Sequence, residues 1–249
     1  MDDTDGYFDE PVAARYDDPS DPMFRPEAVD PAVELIAALA GGGRALELAV
    51  GTGRIGVPLA RRGVPVAGIE LSRAMVDRLR AKPGGEAVAV TIGDMATTSV
   101  DGLFAVVYLV FNTINNLTSQ DAQVACFRNA AAHLAPGGCF VVETTLPPLR
   151  RLPAGQDIWG YRADAGGIVA YSFDHAGQTY SGHYVRFDDG VGRYRTIPFR
   201  YVWPSELDLM AQLAGLRLRD RWADWNRRPF TSDSPAHVSV WQKPDPGSG

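Results

Sequence analysis

Apolar runs and amphipathic stretches alternate along the first half of the chain. Ala45-Leu46-Glu47-Leu48-Ala49-Val50 is short, mostly apolar and followed at once by Gly51-Thr52-Gly53. That pattern predicts a buried parallel strand breaking into a tight turn. Beyond the turn, Ile55, Leu59 and Ala60 recur at helical spacing, and Gly63 ends the helix before a second strand over Val64 to Leu71. Together they form a βαβ half-unit whose ligand end is the turn. Upstream, Asp30 suits an N-cap and Pro31 a first helical position. Val33, Leu35, Ile36 and Leu39 form one apolar face ending at Gly41-Gly42-Gly43. Downstream, Ser72 caps a helix with Met75, Val76 and Leu79 inward, and Ser119 caps another running through Leu134.

The pattern changes after Pro147. Ile168 to Phe173, Gln178 to Asp188 and Gly192 to Trp203 are rich in aromatic and β-branched residues, and the polar turns 174–177 and 189–192 separate them. This spacing predicts an antiparallel meander rather than another βαβ unit. Pro204-Ser205-Glu206-Leu207 opens a further helix that stops at Gly215.

Composition narrows the reading. The chain has 249 residues, 45% of them hydrophobic, enough for one α/β domain with an elaboration. Of the net charge of −6, the first thirty residues hold −8 and the remainder +2. With no basic stripe, nucleic acid is not an expected partner and a small molecule is. No uncharged run is long enough for a membrane span, and the acidic start MDDTDGYFDE lacks signal-peptide character, so a cytoplasmic location is the expectation. Cys126 and Cys139 sit at core positions without metal-ligand spacing, and no metal is expected.

Glu70 ends the second strand 19 positions after Gly51, where an acid can accept from both hydroxyls of a ribose. Gly51-Thr52-Gly53-Arg54-Ile55-Gly56 also satisfies the loose dinucleotide pattern GxGxxG. What separates the candidates is Glu47, an acid inside the first strand, where an unpartnered carboxylate is costly and nicotinamide folds place an apolar residue.

The frame from Glu47 to Arg54 resembles the first motif of class I S-adenosylmethionine-dependent methyltransferases, with Ala49 in place of the usual first glycine. The resemblance continues through Ile92-Gly93-Asp94-Met95 and Leu103 to Asn112, which correspond to the third strand's end and the fourth strand. Leu134 to Gly138 with Phe140 to Glu143 correspond to the family's helix, turn and fifth strand, and Leu216 to Trp222 and His237 to Trp241 to its last two strands. It implies an α/β fold: a Rossmann-like seven-stranded methyltransferase sheet with an antiparallel β insertion and an N-terminal lid. The expected organisation is a lid over 1–29, a cofactor-binding core over 30–146, a β-rich insertion over 147–203, completion of the core over 204–243 and a disordered tail over 244–249.

The implied cofactor is S-adenosyl-L-methionine. By resemblance its site comprises Glu47, Ala49, Gly51, Gly53, Arg54, Glu70 and Leu71, with Asp94 accepting from the adenine amine and Met95 packing on the ring. Met75 is assigned either to the adenine or to the core, and Arg25 either to the methionine carboxylate or to the surface. Tyr7, and Tyr16-Asp17 nine residues later, match a lid helix. Tyr7 and Phe8 would then face the acceptor, and Tyr16 the methionine end. Phe111 and Asn112, at the end of the fourth strand, fall beside the sulfonium and the acceptor, unless the asparagines of that run merely cap a turn. Trp159 and Tyr171 are candidate acceptor contacts on the insertion, although alternation places about half of its aromatics on the wrong face.

A hydroxyl acceptor needs a base within hydrogen-bond reach, whereas a neutral amine needs alignment and somewhere to lose a proton. His133 reads as exposed and His237 as the start of the last strand, leaving His175 and His183 as the candidate bases. The expected activity is therefore methyl transfer to an amine of a small molecule, such as an amino sugar or other natural-product intermediate, with Tyr7, Tyr16 and Phe111 at the reacting centre. The alternatives are a small-molecule O-methyltransferase, an NAD-dependent oxidoreductase and a non-catalytic S-adenosylmethionine-binding protein. Aromatics on the insertion equally suit a homo-oligomer interface.

Overall fold

In the computed structural model, which describes residues 6–18, 21–164 and 166–245, two sheets share one chain. The expectations for residues 1–5, 19–20, 165 and the end of the tail, 246–249, lie outside the described residues. The main sheet is seven-stranded and contains β1 (Ala45–Leu48), β2 (Val66–Glu70), β3 (Val88–Ile92), β4 (Phe104–Leu109), β5 (Leu134–Thr145), β10 (Arg217–Trp222) and β11 (Ala236–Gln242). Its order is β10-β11-β5-β4-β1-β2-β3, and only β11 runs antiparallel to its neighbours. This is the seven-stranded Rossmann-like sheet that the sequence resemblance implied, and its order reverses between β1 and β4, where open α/β sheets bind ligands.

Helices cover both faces. α2 (Pro26–Ala40), α3 (Gly56–Arg61) and α4 (Arg73–Ala81) accompany the first strands; α5 (Gln120–His133) and α6 (Pro204–Leu213) follow. The central strands are buried on both sides, so Val107 and Leu109 of β4 enter one core and Val106 and Tyr108 the other. Phe127, Phe140 and Trp241 lock the first core through edge contacts, with Phe127 and Phe140 centroids 5.0 Å apart. Each such buried ring contributes about 2 kcal/mol from area alone. Cys126 lies in the same core, and burial pushes its thiol up to about 12. No helix among the described residues is long and apolar enough to cross a membrane.

The second sheet is an antiparallel meander of four strands, β6 (Ile158–Asp164), β7 (Gly167–Asp174), β8 (Thr179–Asp188) and β9 (Val191–Arg200). The first of these is absent from the sequence pattern, because its residues are almost all exposed and do not alternate. Arg200 at the end of β9 is 5% exposed, donates to Gln123 of α5 at 2.5 Å and pairs with Glu206 of α6 at 2.7 Å. Burial raises the Glu206 carboxyl, yet hydrogen bonds from Arg200, Gln178 and Gln120 outweigh it and hold the group below its usual range. That cluster fixes the meander against the helical layer.

Three local expectations are corrected. The second helix starts at Pro26, not Pro31: Pro31 lies inside it, where it forgoes the bond to the Glu27 carbonyl. His133 is 4% exposed; its Nε2 accepts from the Val100 N–H at 3.0 Å. Leu134 already pairs with Phe104, and the register then shifts so that Val106 pairs with Cys139; residues 135–138, with Gly137 at φ 73°, therefore bulge within β5 rather than forming a turn ahead of it.

Candidate active site

The turn after β1 is built by backbone geometry. Ala49, Gly51 and Gly53 all have positive φ, at 53°, 56° and 77°. For Ala49 that conformation costs about 1 kcal/mol, the penalty a glycine would avoid. Gly53 is required by packing as well, since a Cβ there would meet Val57 Cγ2 at 2.8 Å. The turn is also tied to β2: Gly51 N–H donates to Glu70 Oε2 at 2.8 Å, and Ser72 N–H to Glu70 Oε1 at 2.9 Å.

Beneath the turn lies Glu47, 2% exposed, accepting from the Tyr108 hydroxyl at 3.0 Å. Burial drives its pKa up to about 8, against the lowering effects of Tyr108, Arg54 and the Gly56 N–H. Gly56 leaves room for that carboxylate, since a Cβ there would fall 2.8 Å from Glu47 Oε2 and displace it. The acid that distinguishes this motif thus acts from below the turn rather than from the cavity wall.

Above the turn is a cavity of about 290 Å³. Ala49, Gly51, Glu70, Leu71, Met75, Asp94, Met95, Thr113, Asn116 and Leu117 line it from the main sheet and its connections. Tyr7, Phe8 and Tyr16 line it from the N-terminal segment, and Ile197 and Pro198 from β9. Phe8, Tyr16 and Phe24 form an edge-to-face chain with centroids 6.1 and 5.9 Å apart. Burial, with Glu70, Asp17 and Asp21 nearby and against Arg54, raises the Tyr16 hydroxyl to about 12, so it stays a protonated donor.

The N-terminal segment, with α1 (Glu10–Tyr16), is pinned from both sheets. Ser72 Oγ caps α4 by accepting from Met75 N–H and donates to the Phe8 carbonyl at 2.6 Å. Thr52 Oγ1 donates to Asp17 Oδ1 at 2.6 Å, and Lys82 pairs with Asp17 at 2.8 Å. From the meander, Arg195 donates to the Tyr7 carbonyl and to Asp9. None of these anchors carries a sequence signal beyond the helix-cap position of Ser72.

Other candidate residues lie apart from this cavity. Arg54 stacks over Phe111 with its Cζ 4.4 Å from the ring centroid, and lines a smaller cavity of about 190 Å³ with Glu143. Arg25 is exposed before α2. Phe111 and Asn112 are consecutive left-handed residues, φ 65° and 59°; Glu143 accepts from the Phe111 N–H, and Asn112 Oδ1 accepts from Thr144 and Thr145. Trp159 and Tyr171 line a third cavity with Asn112. His175 is exposed and stacked on Phe173, and His183 bonds Ser172 and Tyr194. Neither ring lines the cavity above the turn. His237 is buried in β11, where burial and Arg221 push it down to about 4.

A family model described as a methyltransferase domain matches residues 45–138. The solved structure of the CcbJ methyltransferase from Streptomyces caelestis is 37% identical and superposes with a TM-score of 0.80, covering 94% of this chain and 96% of that one. The cypemycin N-terminal methyltransferase of a Streptomyces species is 27% identical over 81% of this chain and 84% of its own. CalS10 from Micromonospora echinaspora, an amino pentose methyltransferase solved with S-adenosylmethionine bound, shares the fold at 22% identity and a TM-score of 0.63, with 88% and 91% coverage.

Proposed function

The chain belongs to the S-adenosylmethionine-dependent methyltransferases, and from that premise we propose that it methylates an amine of a small molecule. The observation that carries this reading is the composition of the 290 Å³ cavity: the Glu70 carboxylate, three aromatic rings of the N-terminal segment, and no histidine among its described lining residues.

The residues present fit the cofactor. Glu70 lines the cavity as the acid that would accept from the ribose hydroxyls, Asp94 and Met95 line it as the residues that would take the adenine amine and ring, and the left-handed turn lets the backbone approach closely. When bound, S-adenosylmethionine supplies a methyl group on a positively charged sulfur. Tyr7, Phe8 and Tyr16 steady positive charge at their ring faces, each by roughly 0.5 to 2 kcal/mol. The same rings exclude water, and alignment of the acceptor nitrogen supplies much of the rate. The Tyr16 hydroxyl, held protonated, serves as a donor rather than a base.

N-methylation is in keeping with the N-terminal methyltransferase and the amino pentose methyltransferase that the chain resembles. The test is a transfer assay with S-adenosylmethionine against matched primary amines and phenols, the product's methyl position read by mass spectrometry. Methylation at nitrogen is expected. Transfer confined to hydroxyl oxygen would make the chain an O-methyltransferase, and cofactor binding without transfer to either class would make it a silent binder.

A further inference from the structure

At the carboxyl end of β4 the chain passes through two consecutive left-handed residues, Phe111 at φ 65° and Asn112 at φ 59°. A bulky side chain is an outlier in that region, and two such residues in succession persist only where the surroundings hold them. The holding groups come from β5. Glu143 Oε2 accepts from the Phe111 N–H at 2.9 Å, and the Glu143 carbonyl accepts from the Asn112 N–H at 3.3 Å. Asn112 Oδ1 in turn accepts from the Thr144 hydroxyl and the Thr145 N–H. The Phe111 ring is held by Arg54, which follows Gly53 in the turn after β1, lies with its Cζ 4.4 Å from the ring centroid and donates to the Met23 carbonyl at 3.0 Å.

The kink begins one wall of the cavity above that turn. The helical turn Thr113–Asn116 starts at the next residue, and the Asn112 carbonyl accepts from the Asn115 N–H at 2.9 Å, so kink and helical turn form one hydrogen-bonded piece. Thr113, Asn116 and Leu117 line the cavity above the turn, whereas Asn112 lines the third cavity. The chain crosses from one cavity to the other within a single peptide. Rotation of Phe111 or Asn112 out of the left-handed region would redirect the backbone that carries all three lining residues. Glu143 lines neither of these cavities; it borders the smaller one, which it shares with Arg54, and reaches the site only through the kink.

We infer that Glu143 is a positioning residue for the cofactor: its carboxylate holds the Phe111–Asn112 kink and, through it, the wall formed by Thr113, Asn116 and Leu117. The role belongs to an oxygen acceptor at that place rather than to its charge, because what it holds is a backbone N–H. This rests on the methyltransferase reading and adds to it a residue that acts on the site from outside the cavity.

The test is calorimetric titration of the full chain with S-adenosylhomocysteine, with a thermal melt of each variant beside it. Glu143→Ala should weaken binding roughly tenfold, the worth of one hydrogen bond. Glu143→Gln, whose amide oxygen still accepts from the Phe111 N–H, should bind as wild type does. Glu27→Ala removes another acid lining the same small cavity and should also leave affinity unchanged. Asn112→Ala, which removes the kink's other side-chain acceptor, should weaken binding as Glu143→Ala does, and it reads the kink independently if Glu143→Ala does not fold. Wild-type affinity in a folded Glu143→Ala protein, whatever its melting temperature, would reduce Glu143 to a structural role and overturn the inference. An equal loss in Glu143→Gln would overturn it too, since the charge and not the held N–H would then matter. Absence of binding by wild type defeats the methyltransferase reading and the inference with it, whereas wild-type binding that Glu143→Ala leaves intact defeats the inference alone.

Discussion

The two sheets meet at one cleft and are built on opposite principles. In the seven-stranded sheet, the segment from Glu47 to Ser72 works through its backbone: left-handed residues, buried carboxylates and N–H groups satisfied by Glu70. In the meander, the side facing the cleft works through side chains, with tyrosines, tryptophan and phenylalanine laid on an antiparallel ladder. A backbone-built region tolerates almost no change in shape. A surface of side chains can be altered ring by ring.

Equivalent substitutions in the two sheets should expose that difference. Gly68 in β2 faces Val50, and a Cβ there would lie 2.7 Å from the valine side chain. Gly68→Ala should cost about 3 kcal/mol by overpacking, seen as a lower unfolding midpoint in urea. Gly160 in β6 has nothing within 4 Å of the position its Cβ would take. Gly160→Ala should leave stability unchanged or slightly higher. Equal costs at both sites would erase the distinction.

A second effect belongs to the buried acid. The folded pKa of Glu47, about 8, lies above its ordinary value of 4.5. Folding therefore favours the protonated form, and the contribution is fully present below about pH 4.5 and lost as pH rises through 8. Glu47→Gln should flatten that dependence and gain roughly 2 kcal/mol over wild type at pH 9 in the absence of ligand. Thermal melts across pH 5 to about 9 read it directly.

The smallest effect lies where the regions join. Arg195→Ala removes the meander's hold on Tyr7 and Asp9 while leaving the Ser72, Thr52 and Lys82 anchors. Because the Arg195–Asp9 pair is about a third to a half exposed, KM for S-adenosylmethionine should rise only a few-fold, roughly 1 kcal/mol or less. An unchanged KM would mean that the core alone holds the segment.

The same contrast explains what could be read in the sequence. A strand that must break into a left-handed turn and an acid at the next strand's end leave glycines and a fixed spacing, so the sheet around Gly51 and Glu70 was legible. Side chains that act on neighbours far along the chain leave no spacing: Arg195 reaches Tyr7 across 188 positions, and Asn115 meets Tyr180 across 65. β6 was missed because an exposed strand has no apolar face to alternate. Asp30-Pro31 imitated a helix start because the helix runs through Pro31, which forgoes one bond there. His133 looked exposed because its partner, the Val100 N–H, lies in a loop 33 positions away. His175 and His183 stood out as titratable groups, but a strand's alternation sent His183 to the face opposite Tyr171 and Tyr184, and His175 lies on the turn that follows β7.

The central claim is that Glu70 holds the cofactor while the aromatic face of the meander around Trp159 does not. Calorimetric titration with S-adenosylhomocysteine of wild type, Glu70→Ala and Trp159→Ala tests it most directly. Losing the hydrogen bonds of a charged acceptor should weaken the Glu70 variant by about a hundredfold while the Trp159 variant binds as wild type does. Undiminished affinity in a folded Glu70→Ala protein would contradict the account.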